Sequence, residues 1–195
     1  MRKTAYHHGD LRQALLEAAR QLINEKGPEA FSVAEACQLA GVSTAAPYKH
    51  FKDKNAILEG VLLEEVDRRA ESIKSVLAPF PPGHPDRIIA LARDYVDFAM
   101  AEPGLFALRF GGAGTLWQSE LVRSRSKALY EVVMAELASC LGESTVTDAV
   151  RQRSFMMWSL LHGLTSLMKD AYIAEDEIDF DIDALLADAA RRILA

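Results

Sequence analysis

Only two cysteines occur in the 195 residues, Cys37 and Cys140. They lie far apart, each within an apolar helical pattern, and no Cys-x-x-Cys pair or His/Cys cluster accompanies them. Two reduced, buried thiols are therefore expected, and neither a disulfide framework nor a metal site is. Long apolar runs are missing too. Half of the residues are hydrophobic, yet no stretch approaches the roughly 20 residues that a bilayer span requires. The opening MRKTAYHHGD carries basic residues without an apolar segment behind them, so it does not read as a secretory signal. A cytoplasmic protein without membrane contact is expected. Convincing period-2 alternation is absent, which argues against a sheet. No Gly-rich phosphate loop, paired carboxylates or nucleophile–base pattern is present, so no catalytic residue and no cofactor is expected.

What is present is helical periodicity throughout, and an uneven charge. The net charge is −6, but residues 1–55 carry +2 and residues 56–195 carry −8. A weakly basic head on an acidic body argues against a general polyanion binder and allows local phosphate contacts. Leu11, Leu15, Ala18, Ala19, Leu22 and Ile23 form one apolar stripe, opened by a capping-box-like Asp10/Gln13 and stopped by Gly27-Pro28. Ser32-x-x-Glu35 opens a second helix over Val33–Leu39, which Gly41 ends. Ser43 or Thr44 then starts a third, reaching about Phe51, with Pro47 near its first turn. Asp53 caps a long fourth helix that runs to about residue 78.

After the breaker PFPPGHP (79–85), helices are expected at about 86–101, 103–110, 115–141, 147–173 and 182–194. The acidic run at 174–183 reads as a solvated connector whose last carboxylates favour the dipole of the final helix. The fold class is all-α. Residues 1–54 form a helix-turn-helix head, and 55–195 a helical effector-binding and dimerisation domain, joined by a linking helix at about 54–78.

The second and third helices, joined by Ala40-Gly41-Val42-Ser43, have the length and turn chemistry of a helix-turn-helix. That motif presents the N-terminal end of its second helix to the major groove. Small residues are needed there, and Thr44, Ala45 and Ala46 supply them. Tyr48, Lys49, His50 and Lys54 can reach phosphates beside the groove, and Ser32 and Ser43 sit at helix starts whose free N–H groups suit phosphate.

The stretch FSVAEACQLAGVSTAAPYKHFKDKNAILEGVL resembles the DNA-binding region of the tetracycline-repressor (TetR) family of bacterial regulators. Its matching elements are Ser32, the turn from Ala36 to Ser43, and Tyr48-Lys49-His50-Phe51-Lys52-Asp53-Lys54. The resemblance spans residues 10–65. It implies phosphate contacts by Ser32, Tyr48, His50 and Lys54, base reading by Thr44, Ala45 and Lys49, and a core role for Phe51. Ala46-Pro47 departs from the larger residues common there, which leaves base preference open.

Residues 86–195 resemble the family's regulatory domain more loosely, and Trp158-x-x-x-His162-Gly163 is similar to the signature of its WHG subgroup. Trp158 and His162 share a helix face, and Gly163 leaves room for another helix to approach. Phe98, Phe106, Phe110, Trp117, Tyr130, Met134, Trp158 and His162 are candidate ligand-binding residues, with Tyr95 and Phe155 in the same aromatic set. Gly163, Leu185, Leu186 and Ala189 are the candidate dimer contacts. The expectation is a repressor that binds a palindromic operator as a homodimer and leaves it when a small apolar or aromatic effector binds. One alternative is an effector-independent regulator answering to a protein partner or to Cys oxidation. A more distant one is a small helical enzyme.

Overall fold

The computed structural model describes residues 8–111, 119–169 and 181–195. Among these residues the structure is all-α, with no strand. The helices are α1 (His8–Lys26), α2 (Val33–Leu39), α3 (Lys54–Leu77), α4 (Asp86–Ala101), α5 (Pro103–Phe110), α6 (Glu120–Cys140), α7 (Asp148–Lys169) and α8 (Ile182–Leu194). The expected starts of α6 at 115 and end of α7 at 173 fall outside the described residues. α1 is already helical two residues before Asp10, so Asp10 is not its cap. Asp53 does cap α3, its carboxylate accepting from the Ala56 N–H at 2.9 Å. At the last helix Asp181, the end of the acidic run, accepts from the Ala184 N–H.

The chain forms two compact units. The first comprises residues 1–67 and 102–125, the second residues 68–101 and 126–195. α3 and α6 contribute to both.

In the first unit, α1 buries Leu15, Ala18, Ala19, Leu22 and Ile23 of the expected apolar stripe, together with Leu16 outside it, and α2 supplies Ala36 and Cys37. α5 is fixed to the other side of α1 by a close approach. Gly104 sits so near that an added Cβ would lie 1.9 Å from the Ile23 carbonyl oxygen. Its N–H donates to the Asn24 side-chain oxygen at 3.1 Å, satisfying one of the orphan donors at the start of α5. Nε and Nη2 of the Arg20 guanidinium donate to the Glu102 carboxylate beside them. A buried ion pair, Arg109 to Glu65 at 2.7 Å, ties α5 to α3.

The second unit packs around Ile73, Leu77, Ile88, Leu91, Val96, Leu137, Val150, Met157 and Leu161, closed by α8 through Leu186, Ala189, Ala190 and Ile193. Leu186 and Ala189, expected at a dimer contact, are thus spent on the chain's own core, at 0% and 5% exposed. The reason is their spacing. Leu186, Ala189, Ala190 and Ile193 share one helix face, and that face meets α4 and α7. Arg87 serves as a second anchor, donating to Glu136 at 2.7 Å and to the carbonyls of Leu77 and Phe80, which pins the turn between α3 and α4.

Because Gly104 has backbone rather than a flexible side chain against it, Gly104→Ala is expected to destabilise the protein by about 3 kcal/mol or more, through overpacking that cannot relax locally. Urea unfolding measures this; an unchanged midpoint would refute the close fit.

Candidate nucleic-acid interface

The head is built around the end of α2. The Val42 N–H donates to the Cys37 carbonyl and the Gly41 N–H to that of Gln38, the paired bonds of a Schellman stop. Gly41 takes the left-handed φ of 69° that this stop requires. The chain leaves α2 sharply and presents Ser43, Thr44 and Ala45, all exposed, at the surface.

The expected third helix is not a helix. Residues 44–46 turn, and only Pro47–Lys49 form a single 3₁₀ turn. Pro47 has no N–H to donate to the Ser43 carbonyl, which instead accepts from Ala46 in a tighter three-residue bond of 3.0 Å. The His50 N–H likewise bonds three residues back, to Pro47. Ser43 therefore caps no α-helix. Ser32 has the extended backbone of an N-cap, but its side chain makes no capping bond. Its expected capping-box partner Glu35 pairs with Lys26 instead, at 2.8 Å.

What holds the turn is Phe51. It is 5% exposed. Its ring edge lies 3.4 Å from where a Cβ on Gly60 of α3 would sit, with Leu16 of α1 in the same seat. The core role expected for Phe51 is the one it has. Tyr48 is 64% exposed, and Lys49 projects to solvent with it. His50 is half-buried, and its Nε2 is enclosed with no hydrogen-bond partner. Lys54 is held back, its ammonium 5.4 Å from the centre of the Phe31 ring and 3.5 Å from the Glu29 carbonyl oxygen. Thr44, Ala45, Tyr48 and Lys49 are thus exposed, and Ser32, His50 and Lys54 are more sheltered.

The candidate ligand residues divide between the units. Phe106 and Phe110 pack on each other in the first, ring centres 4.8 Å apart. In the second unit, Phe98 is buried beneath the Arg69 guanidinium, and Met134 is buried on α6. Tyr130 and Trp158 meet at 5.8 Å, and Phe155 meets Trp158 edge-on. Tyr95 links two members of the motif, 3.0 Å from His162 Nδ1 and accepting from the Trp158 indole N–H at 3.2 Å. The four-residue spacing of Trp158 and His162 signalled their shared face; nothing in the sequence signalled that Tyr95 joins them. Trp117 lies outside the described residues. Among the described residues no group of three His, Cys, Asp or Glu is placed to hold a metal, and no helix is long and apolar enough to cross a membrane.

An all-α head in which a Gly41 stop leads into exposed small, hydroxyl and cationic side chains fits a DNA-binding protein of the helix-turn-helix class. Comparison with known proteins narrows this. Residues 15–61 match the family described as bacterial regulatory proteins, tetR family, and residues 88–193 match the tetracyclin repressor-like C-terminal domain. The chain belongs to the TetR family of transcriptional regulators.

It is 29% identical over 145 residues to the nucleoid occlusion factor SlmA of Vibrio vulnificus, covering 70% of this chain and 69% of that one. It is likewise 29% identical over 136 residues to the HTH-type transcriptional regulator BetI of Yersinia pestis, covering 67% and 68%. Among solved structures, a protein of unknown function from Rhodococcus sp. RHA1 superposes with a TM-score of 0.80 at 27% identity, covering 98% of this chain and 97% of that one.

We propose that Lys49 reads bases and that Tyr48, His50 and Lys54 hold phosphates. Lys54→Ala should weaken binding on all sequences alike and lower the salt slope by about 0.9 per protomer. Lys49→Ala should change sequence preference, with about 1–3 kcal/mol of discrimination at stake. Selection of bound sequences with both variants decides it; the reverse pattern would exchange the two roles.

Proposed function

We propose that the protein is a repressor that binds a palindromic operator as a two-fold homodimer and is released by a small apolar or aromatic effector. The observation that carries the dimer is a stripe on α7. Its inner face (Val150, Ser154, Met157, Leu161, Thr165) is core, yet Met156, Leu160 and Leu167 on the outer face are 61%, 41% and 54% exposed. With Gly163 they repeat at four, three and four residues, the spacing of a helix-packing seam. A Cβ added at Gly163 would meet nothing within 4 Å in the chain itself. The exposed Leu185 of α8 is available to the same kind of contact. A seam of this size left to water is the expected mark of a partner surface, and a second copy makes it self-complementary. Two heads then read two half-sites about 34–36 Å apart.

The effector reading rests on Tyr95, which bonds both His162 and Trp158, and on Tyr130 beside Trp158, a set that offers ring faces together with a few polar atoms. To release DNA, the effector must bind the released state more tightly, and a hundredfold preference corresponds to about 2.7 kcal/mol. Trp158 fluorescence reports binding in a compound screen, and operator affinity of the hits gives the coupling. Compounds that bind here without changing that affinity would contradict the reading. Cys oxidation is the weaker trigger. Cys37 is fully buried, the Cys140 thiol donates to the His84 carbonyl, and burial pushes both thiols above their usual range, away from the reactive thiolate.

Leu160→Glu, at a position already exposed in one chain, should leave the helical signal intact and convert a dimer to a monomer in sedimentation at micromolar concentration. A wild-type monomer at that concentration, or an equally tight Leu160→Glu dimer, would overturn the assignment.

A further inference from the structure

We infer that Arg12 of α1 is a further DNA contact, a phosphate clamp lying outside the segment that matches the tetR-family head. That match begins at residue 15. The inference rests on the DNA-binding role of the head.

The charge pattern of the first unit is the first support. Arg20, Lys26, Arg109 and Arg125 each meet a carboxylate, from Glu102, Glu35, Glu65 and Asp67 respectively. Arg12, Lys49 and Lys52 are exposed and meet none among the described residues. Two of these three belong to the reading turn and its flank. The third comes from a different helix.

Position is the second support. Arg12 stands one helical turn before Leu16, on the same face of α1. Leu16 lines the inner seat of Phe51, and the Arg12 guanidinium lies 5.3 Å from the centre of the same ring. Phe51 directly follows Tyr48, Lys49 and His50. The ring that anchors the turn from inside therefore carries a cation at its outer edge.

The chemistry of that cation is the third. A guanidinium over an aromatic ring has its plane restrained while its N–H edge stays in water. Phosphate oxygens accept from such an edge in bidentate fashion, and a pre-placed side chain loses less freedom on binding than a free lysine. An arginine used only to cover Phe51 would serve equally with its charge neutralised by a neighbouring acid, and none is supplied among the described side chains.

The test is the salt dependence of binding to a 30-base-pair duplex of arbitrary sequence, where phosphate contacts dominate. Arg12→Met keeps an unbranched stem over Phe51 and removes the charge. Arg12→Lys keeps the charge and loses the planar edge. Thermal melts of both confirm the fold.

Arg12→Met should lower the slope of log K against log salt by about 0.9 per bound protomer and weaken binding roughly tenfold near 0.15 M salt. Arg12→Lys should keep the wild-type slope with an intermediate affinity. An unchanged slope for Arg12→Met overturns the proposal, whether or not affinity falls, because a loss without a slope change means that Arg12 acts through the seating of Phe51. If wild type itself shows no salt-dependent binding, the DNA-binding role fails along with the proposal.

Discussion

Pro47 removes the backbone donor that would bond the Ser43 carbonyl in an α-helix over residues 43–51, and the exposed turn is held by one packing contact above all, the seat of Phe51 between α1 and α3. Each lost turn of helical bonding on an exposed segment forgoes only about 0.5–1.5 kcal/mol per bond. Burying an aromatic ring contributes about 1.5–3 kcal/mol. The buried ring holds the segment in place where helical bonding is incomplete, so the turn is irregular yet fixed. Gly60 is part of this arrangement. A Cβ there would stand 2.9 Å from a Leu16 methyl and 3.4 Å from the Phe51 ring, crowding the seat.

The same logic places α5 in the first unit. Its eight residues are too few to be stable alone, and three contacts with α1 supply what length does not: the Gly104 close approach, the Asn24 cap and the Arg20–Glu102 pair. The Glu65–Arg109 pair adds a contact with α3 that tolerates no half measures. Removing either partner strands a buried charge, at a cost of about 3–5 kcal/mol. In the second unit Arg69 and Ser72 of α3 both bond the buried Asp94 carboxylate, so α3 enters each unit through a charged anchor as well as an apolar stripe.

How far the sequence disclosed this follows from what each residue's role depends on. Most of the α1 stripe, the Gly41 stop, the Asp53 cap and the α2 boundaries are local, set by period and turn chemistry, and the structure has them. The expected third helix does not form because the donor that Pro47 lacks leaves the Ser43 carbonyl to a tighter turn. Leu186 and Ala189 illustrate a different limit. An apolar helix face announces that it will be buried, not by what, and here α4 and α7 of the same chain claim it. The stripe on α7 is only half legible in sequence, since Gly163 marks room for a close approach while Met156, Leu160 and Leu167 differ from core residues only in their exposure. Tyr95 beside His162 depends on a contact across 67 residues that no local pattern encodes.

The central claim is that the Phe51-anchored turn enters the major groove by its Thr44–Ala45 end, once per half-site. A DNA-cleaving iron chelate tethered at Ala45→Cys, in a Cys140→Ser background with Cys37 left buried, tests this on the DNA upstream of the gene. The account predicts two discrete cleavage clusters related by two-fold symmetry and about one helical turn apart. Cleavage at a single position, or spread evenly along the duplex, would contradict it.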